Sequence, residues 1–343
     1  MSRVVVIGGG VIGCAVAERL SLERHQILLL ERDRLGGRAS GAAAGELSPS
    51  RPGPSGGSSP EREAEMKSLS MFPEVVSRVE KDSAMGVEYR LQQGLRPAFG
   101  EEEAIELRAG GERWLDGAAC RKAEPALSSD VVGAVLLEHA HLTPPRFVRA
   151  LARAAASRGA DICEGTPAIG FEIAAQEVRR VTTPAGGHDA DWVVIAAGPW
   201  SREVASVAGV EVDVRPQRGQ LAALDPGAIV LARSLFWSSG YLVPKADGTI
   251  IAGGTEEDAG FDDRPTVAGI ASLLDFARRL VPALSSASLL RTWAGLRPVM
   301  RDGRPLVAVM GARNLIIATG HHRKGILLAP LAAEQVTSLI TAS

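Results

Sequence analysis

Near the start of the chain, Gly8-Gly9-Gly10-Val11-Ile12-Gly13 has the spacing G-x-G-x-x-G, and an acid, Glu31, follows it. The first glycine allows a tight turn, the second lets the backbone approach a pyrophosphate, and the third lets a helix pack close to the preceding strand. A helix that begins here presents free N–H groups and the positive end of its dipole to phosphate oxygens. Glu31 would accept hydrogen bonds from ribose hydroxyls and repel a phosphorylated ribose. That chemistry is dinucleotide binding, and it does not separate NAD from FAD.

Residues 36–45, Gly-Gly-Arg-Ala-Ser-Gly-Ala-Ala-Ala-Gly, are a run of small side chains that lets backbone approach a large planar ligand. The three cysteines, Cys14, Cys120 and Cys163, are scattered. They form neither a disulfide framework nor a metal-ligand spacing, and they fit a reducing cytoplasm.

The elements that must position these residues are legible in outline. RVVVI at 3–7 reads as a strand buried on both faces, helical spacing follows over 11–24, and ILLL at 27–30 reads as a second strand. Ser59-Pro60-Glu61 opens a helix over 60–83 with a cap, a first-turn proline and an acid. Further helices are predicted at 144–158, 266–280 and 325–340, and strands at 160–164, 166–173, 177–183, 191–198 and 314–320. The stretch 85–140 reads as short strands with one helix, and 212–255 as β-rich. SPSRPGPSGGSSP, at 48–60, predicts an exposed loop.

Composition narrows the class. A chain of 343 residues suggests two domains at roughly 100–200 residues each. Lys plus Arg total 38 against 40 Asp plus Glu, a net charge of −2, which leaves no basic excess for a nucleic-acid partner. Apolar residues at 45% and charged residues at 23% exclude a wholly disordered chain. The apolar start is interrupted by Glu18 and Arg19, short of the ~20 residues a membrane span needs, and it lacks the basic start and cleavage site of a signal peptide. A cytoplasmic protein without a membrane partner is expected.

Several longer segments then carry a resemblance. The fingerprint, Glu31 and GGRASGAAAG resemble the FAD-binding start of the D-amino-acid oxidase superfamily. DWVVIAAGPWS (191–201), GYLVPKADG (240–248), WAGLRP (293–298), DGRP (302–305) and ATGHHRKGILLAP (318–330) resemble its glycine oxidase branch, in order, over nearly the whole chain. The resemblance implies an α/β fold in which a Rossmann-like FAD-binding domain is interleaved with a mostly antiparallel β-sheet substrate domain. The first would comprise 1–84, 141–211 and 291–343, and the second 85–140 and 212–290.

The implied reaction passes the Cα–H hydride of an amino acid to flavin N5. The imine is hydrolysed to an oxo acid and ammonia, and molecular oxygen becomes hydrogen peroxide. Glycine is the leading substrate, and the branch's usual role is making glycine imine for the thiazole half of thiamine. By the same resemblance, Arg297 grips the substrate carboxylate through two parallel hydrogen bonds. Tyr241 touches that carboxylate, and Arg323 stands at the substrate entrance. Cofactor contacts are implied at Gly8, Gly10, Val11, Ile12 and Gly13, at Glu31 and Arg32, and at Arg38, Ala39, Ser40, Ala44, Gly45 and Glu46. Ala168, Ala197 and Gly198 join them, as do His321, His322, Lys324, Gly325, Ile326 and Leu327. The last helix would point its positive end at the flavin and stabilise its reduced form. No general base is needed if the substrate amine is neutral. Monomeric sarcosine oxidase carries its flavin on a C-terminal cysteine; residues 297–343 contain none, so FAD is expected to be non-covalent. Tetramers in the branch point to a homo-oligomer.

The sequence also departs from the branch. Glu46 and Glu256 replace apolar residues, and Ser239 replaces a histidine. A buried carboxylate needs a partner or a shifted pKa. These acids could bind a substrate amine or the far end of a basic substrate, so D-amino acids, basic ones included, remain an alternative. A dehydrogenase that passes electrons to a partner or quinone also stays open. Retention of Arg297 and Tyr241 argues against a non-catalytic FAD module.

Overall fold

The computed structural model describes residues 1–52 and 58–342, and among these are three sheets. The first grows from strand Arg3–Ile7, helix Val11–Ser21 and strand Gln26–Leu30. Val4, Val5 and Val6 are all buried, which is why the run is apolar without alternation. In order across the sheet come Leu306–Val309, Leu315–Thr319, Trp192–Ile195, Arg3–Ile7, Gln26–Leu30 and Asp161–Cys163; only the first is antiparallel to its neighbour. Ile7 and Ile195, the last residues of their strands, are in register with Ile317, two residues before the end of its own, at the edge where such sheets bind ligands.

Helices cover one face. Pro60–Ser83, Pro144–Ser157, Gly325–Thr341 and Val11–Ser21 contribute Phe72, Phe147, Ala329 and Leu20 to one core. Ser59 caps the first of these by accepting the Arg62 N–H, a contact worth about 1 kcal/mol. The opposite face meets a small sheet of Gly170–Ala174, Glu177–Thr183 and Gly186–Asp189, together with helix Ser201–Val207.

The third sheet runs in the order Ser288–Met300, Val214–Asp225, Ile250–Gly253, Gly240–Pro244, Leu235–Trp237, Arg90–Ala98, Gly133–His141 and Glu46–Leu47, with Trp114–Asp116 added to Gly133–His141. Its pairings are antiparallel except at Leu235–Leu95. Ser288–Met300 is one continuous strand that runs through residue 291, where the sequence reading drew a boundary. Segment 85–140 holds two helices, Glu101–Ala109 and Gly117–Ala123, where one was expected.

The stretch 48–60 only partly matches an exposed loop. Residues 53–57 of it lie outside the described residues. Before them, Pro49 is buried, and Arg51 donates to Glu112 at 2.7 Å and to the Leu107 carbonyl at 2.8 Å. An acid and a helix-end carbonyl thus hold a polar segment against the protein.

Candidate active site

A cavity of about 760 Å³ runs from the glycine fingerprint to strand Ser288–Met300. At the fingerprint, Gly8 has φ +114°, and a Cβ there would stand 2.5 Å from the Ala196 carbonyl oxygen. Only glycine fits. A Cβ on Gly13 would lie 1.9 Å from the Gly8 carbonyl oxygen, so Gly13 serves helix–turn packing and does not line the cavity. A Cβ on Gly10 would meet only the Ser40 hydroxyl, at 3.4 Å. That hydroxyl accepts the Val11 N–H at 2.9 Å. Glu31 accepts the Gly9 N–H at 2.6 Å and the Asp33 N–H at 2.8 Å, and each carboxylate oxygen keeps a further lone pair.

Gly8, Gly10, Val11, Ile12, Glu31 and Ser40 all line the cavity, as do Ala39, Ala44 and Gly45. Ala168, Ala197 and Gly198 line it from two other segments. Arg32 and Arg38 border it too, although both are exposed: Arg32 lies 4.1 Å over the Trp200 ring, and Arg38 pairs with Asp33 at 2.7 Å. Part of the small-residue run serves the protein itself. A Cβ on Gly41 would stand 2.1 Å from the Gly36 carbonyl oxygen, and Ala42 packs against Gly295 of the long strand.

The turn before the last helix closes the cavity with His321, His322, Lys324, Gly325 and Ile326. Leu327, expected at the cofactor, turns into the hydrophobic core instead, as the next residue on a helix must. His321 is buried, and its Nδ1 has no hydrogen-bond partner among the described residues. Burial lowers both histidine pKa values to about 4, so the rings are neutral at neutral pH. His322 Nε2 lies 2.6 Å from the Gln217 side-chain oxygen. Lys324 donates to the Ser48 carbonyl at 2.5 Å and stands 3.5 Å from Glu65.

At the far end, Arg297 lies across Gly219: a Cβ there would be 2.2 Å from Nη2. Its Nη1 donates to the Thr255 carbonyl at 2.8 Å. Tyr241 lies over Gly253, where a Cβ would be 2.6 Å from its ring, and its hydroxyl is beside the Arg297 guanidinium. Three glycines, 219, 253 and 254, thus floor an arginine–tyrosine pair. The sequence reading missed them, although glycine inside a strand signals just such a close approach. Burial lowers the pKa of Arg297 and raises that of Tyr241.

The departures from the branch resolve differently. Glu256 does not line the cavity: it pairs with Arg323 at 2.8 Å, while Arg323 also donates to the Ser239 carbonyl at 3.2 Å. Glu46 does line it. Its carboxyl stands 3.1 Å from His139 Nδ1 and accepts from Ser234 Oγ at 3.4 Å. Ser234 Oγ lies 3.0 Å from His139 Nε2, while His139 Nδ1 and Glu46 Oε2 have no hydrogen-bond partner among the described residues. Burial pushes the Glu46 pKa up to about 8. His139, Ser234, Arg51 and Arg96 carried no motif that could have marked them.

The site suits FAD on its own evidence. An open glycine turn, a helix N-terminus and an unpartnered buried ring nitrogen at His321 all border a cavity near the top of the usual size range for ligand sites. None of the three cysteines lines it.

Comparison with known proteins agrees. The family described as DAO, FAD dependent oxidoreductase, matches residues 3–339. A glycine oxidase of Bacillus licheniformis is 31% identical, over 98% of this chain and 92% of its own. The bifunctional protein ThiO/ThiG of Trichormus variabilis is 33% identical, and the match spans 52% of that longer protein. The crystal structure of glycine oxidase from Bacillus cereus superposes with a TM-score of 0.92 at 30% identity, covering 100% of this chain and 95% of that one. From its turn, its cavity and its match over nearly the full length, the chain belongs to the DAO family of FAD-dependent oxidoreductases, and FAD is its cofactor.

Proposed function

We propose that this enzyme oxidatively deaminates a small amino acid, with glycine as the leading substrate and thiamine biosynthesis as the setting. One observation carries the reading: the half-buried Arg297–Tyr241 pair lines the same cavity as the dinucleotide turn. Arg297 has no carboxylate partner among the described residues, so its remaining N–H groups are available to a substrate carboxylate. A two-point grip on that carboxylate fixes the direction of the Cα–H bond. The Tyr241 hydroxyl, held beside the guanidinium, donates a further hydrogen bond. FAD supplies the two-electron acceptor when bound.

A substrate whose amine is neutral needs no general base, and a histidine pKa of about 4 makes His321 and His322 weak bases. The N-terminus of helix Gly325–Thr341 sets a positive dipole end at the cavity wall, where it favours negative charge. The amino acid loses two electrons and two protons to become an imine, which water splits to an oxo acid and ammonia. Oxygen takes the electrons and protons as hydrogen peroxide. The glycine oxidase and ThiO/ThiG relatives support this substrate and setting. Pairing of Glu256 with Arg323 counts against a basic substrate.

The test uses the flavin-loaded enzyme. Glycine, sarcosine, D-alanine and D-lysine are mixed with it anaerobically, and air is then admitted. Bleaching of the flavin followed by peroxide is expected with glycine or D-alanine. No bleaching by any amino acid would refute the reading, and bleaching without peroxide would make it a dehydrogenase.

A further inference from the structure

Four guanidinium groups line the substrate end of the cavity: Arg297, Arg323, Arg96 and Arg51. Two have acids of their own, Arg323 with Glu256 at 2.8 Å and Arg51 with Glu112 at 2.7 Å. The other two have no acid in an ion pair among the described residues: Arg297 donates to the Thr255 carbonyl at 2.8 Å and lies against the Tyr241 hydroxyl, and Arg96 donates to the Ser238 carbonyl at 3.2 Å. Nε of Arg96 is buried and has no hydrogen-bond partner among the described residues. Arg96 is half-buried, and a buried N–H left without a partner calls for an explanation.

The strand geometry aims Arg96 inward. On Arg90–Ala98, residues 94, 96 and 98 share a face, and a Cβ on Gly94 would press at 2.7 Å on the ring of Phe236, itself a cavity wall. Arg96 and Arg323 donate to the carbonyls of consecutive residues, Ser238 and Ser239, whose Cα atoms are about 3.8 Å apart. Burial lowers the pKa of both Arg96 and Arg297; the fields of Arg51 and Arg323 add to this at Arg96 against those of Glu112 and Glu106, and the field of Arg323 adds to it at Arg297. Arg96 and Arg297 thus line one cavity, with Arg323 bonded at the carbonyl next to the one that holds Arg96. The carboxyl that lines this cavity, Glu46, accepts from Ser234 Oγ, and burial raises its pKa against the field of Lys245.

We propose that the pocket accepts an amino acid with a second carboxylate, Arg297 holding the α-carboxylate and Arg96 the distal one. This rests on the role given to Arg297 above. Glycine fills only the Arg297 end; an acidic amino acid or an N-carboxymethyl amine fills both. The bonds made and broken are those of the reaction already described, and Arg96 adds only recognition.

The flavin-loaded enzyme is titrated with succinate and with its monoamide, succinamate, and binding is read from the visible flavin spectrum. A charge-assisted hydrogen bond that the monoamide lacks should make succinate bind about 10- to 100-fold tighter. In turnover, D-aspartate should exceed D-asparagine in kcat/KM by a similar factor. Arg96→Gln should bring both ratios to within about threefold of one, and Arg96→Lys should keep part of the preference. Equal affinity of the two ligands for the parent enzyme overturns the proposal, as does a preference that survives in Arg96→Gln. If either variant fails to retain flavin, the parent ratio still decides. Failure of every amino acid to bleach the flavin sinks the proposed oxidation instead, and leaves the succinate titration to judge the anion site by itself.

Discussion

Replacing Gly219 with alanine adds one methyl group directly beneath the Arg297 guanidinium. The new Cβ would lie 2.2 Å from Nη2, 2.4 Å from Cζ and 2.5 Å from Nη1. Ordinary contact between such atoms is about 3.5–4.0 Å, so the guanidinium must withdraw by about 1 Å or more. The backbone at 219 is not left-handed, and the residue stays in register with Gly295, so the strand itself tolerates alanine. Stability should change little, because the displaced group is the mobile end of a long side chain. Catalysis should not be spared: a misplacement of ~1 Å in a positioning group costs about 100-fold. We expect kcat/KM for the best amino acid, read from peroxide release, to fall by that factor while flavin content and melting temperature stay near the parent values. A kcat/KM within about threefold of the parent, with flavin fully bound, would refute the assignment of Arg297 as the carboxylate grip.

Three further outcomes follow from the same geometry. Arg297→Ala removes both bonds to the substrate carboxylate and should raise KM at least about 100-fold with flavin retained; an unchanged KM would sink the assignment. Glu46 has its pKa raised from 4.5 to about 8, so the folded state binds the extra proton and stability falls as pH rises through that window. The melting temperature of Glu46→Gln should therefore gain on the parent between about pH 4.5 and pH 8, and a constant difference would contradict the burial. Acid precipitation should release the flavin into the supernatant, since no cysteine lines the cavity; colour that stays in the pellet would indicate a covalent bond.

Much of the fold was legible because its signals are local. The long helices fall close to where the sequence places them, at Pro60–Ser83, Pro144–Ser157, Val267–Leu280 and Gly325–Thr341. Strand Ser288–Met300 was not foreseen, because its residues are largely half-exposed and show no clean alternation. Leu327 was misplaced for a simpler reason. A motif names consecutive residues, but a helix turns each by a fixed angle, and this one faces the core.

By itself the sequence determined the dinucleotide turn; FAD, Arg297 and Tyr241 were implied by its resemblance to a family. The turn is set by chemistry within a few residues, whereas the resemblance is spread over nearly the whole chain. Only the tertiary structure decided which acid reaches the cavity. Glu46 lines it beside His139, whereas Glu256 turns aside to Arg323. Arg96 came into view the same way, bonded to Ser238 from 142 positions away in the chain. Which face of a strand a side chain occupies is fixed by its register with distant partners, and a slip of one residue would reverse it.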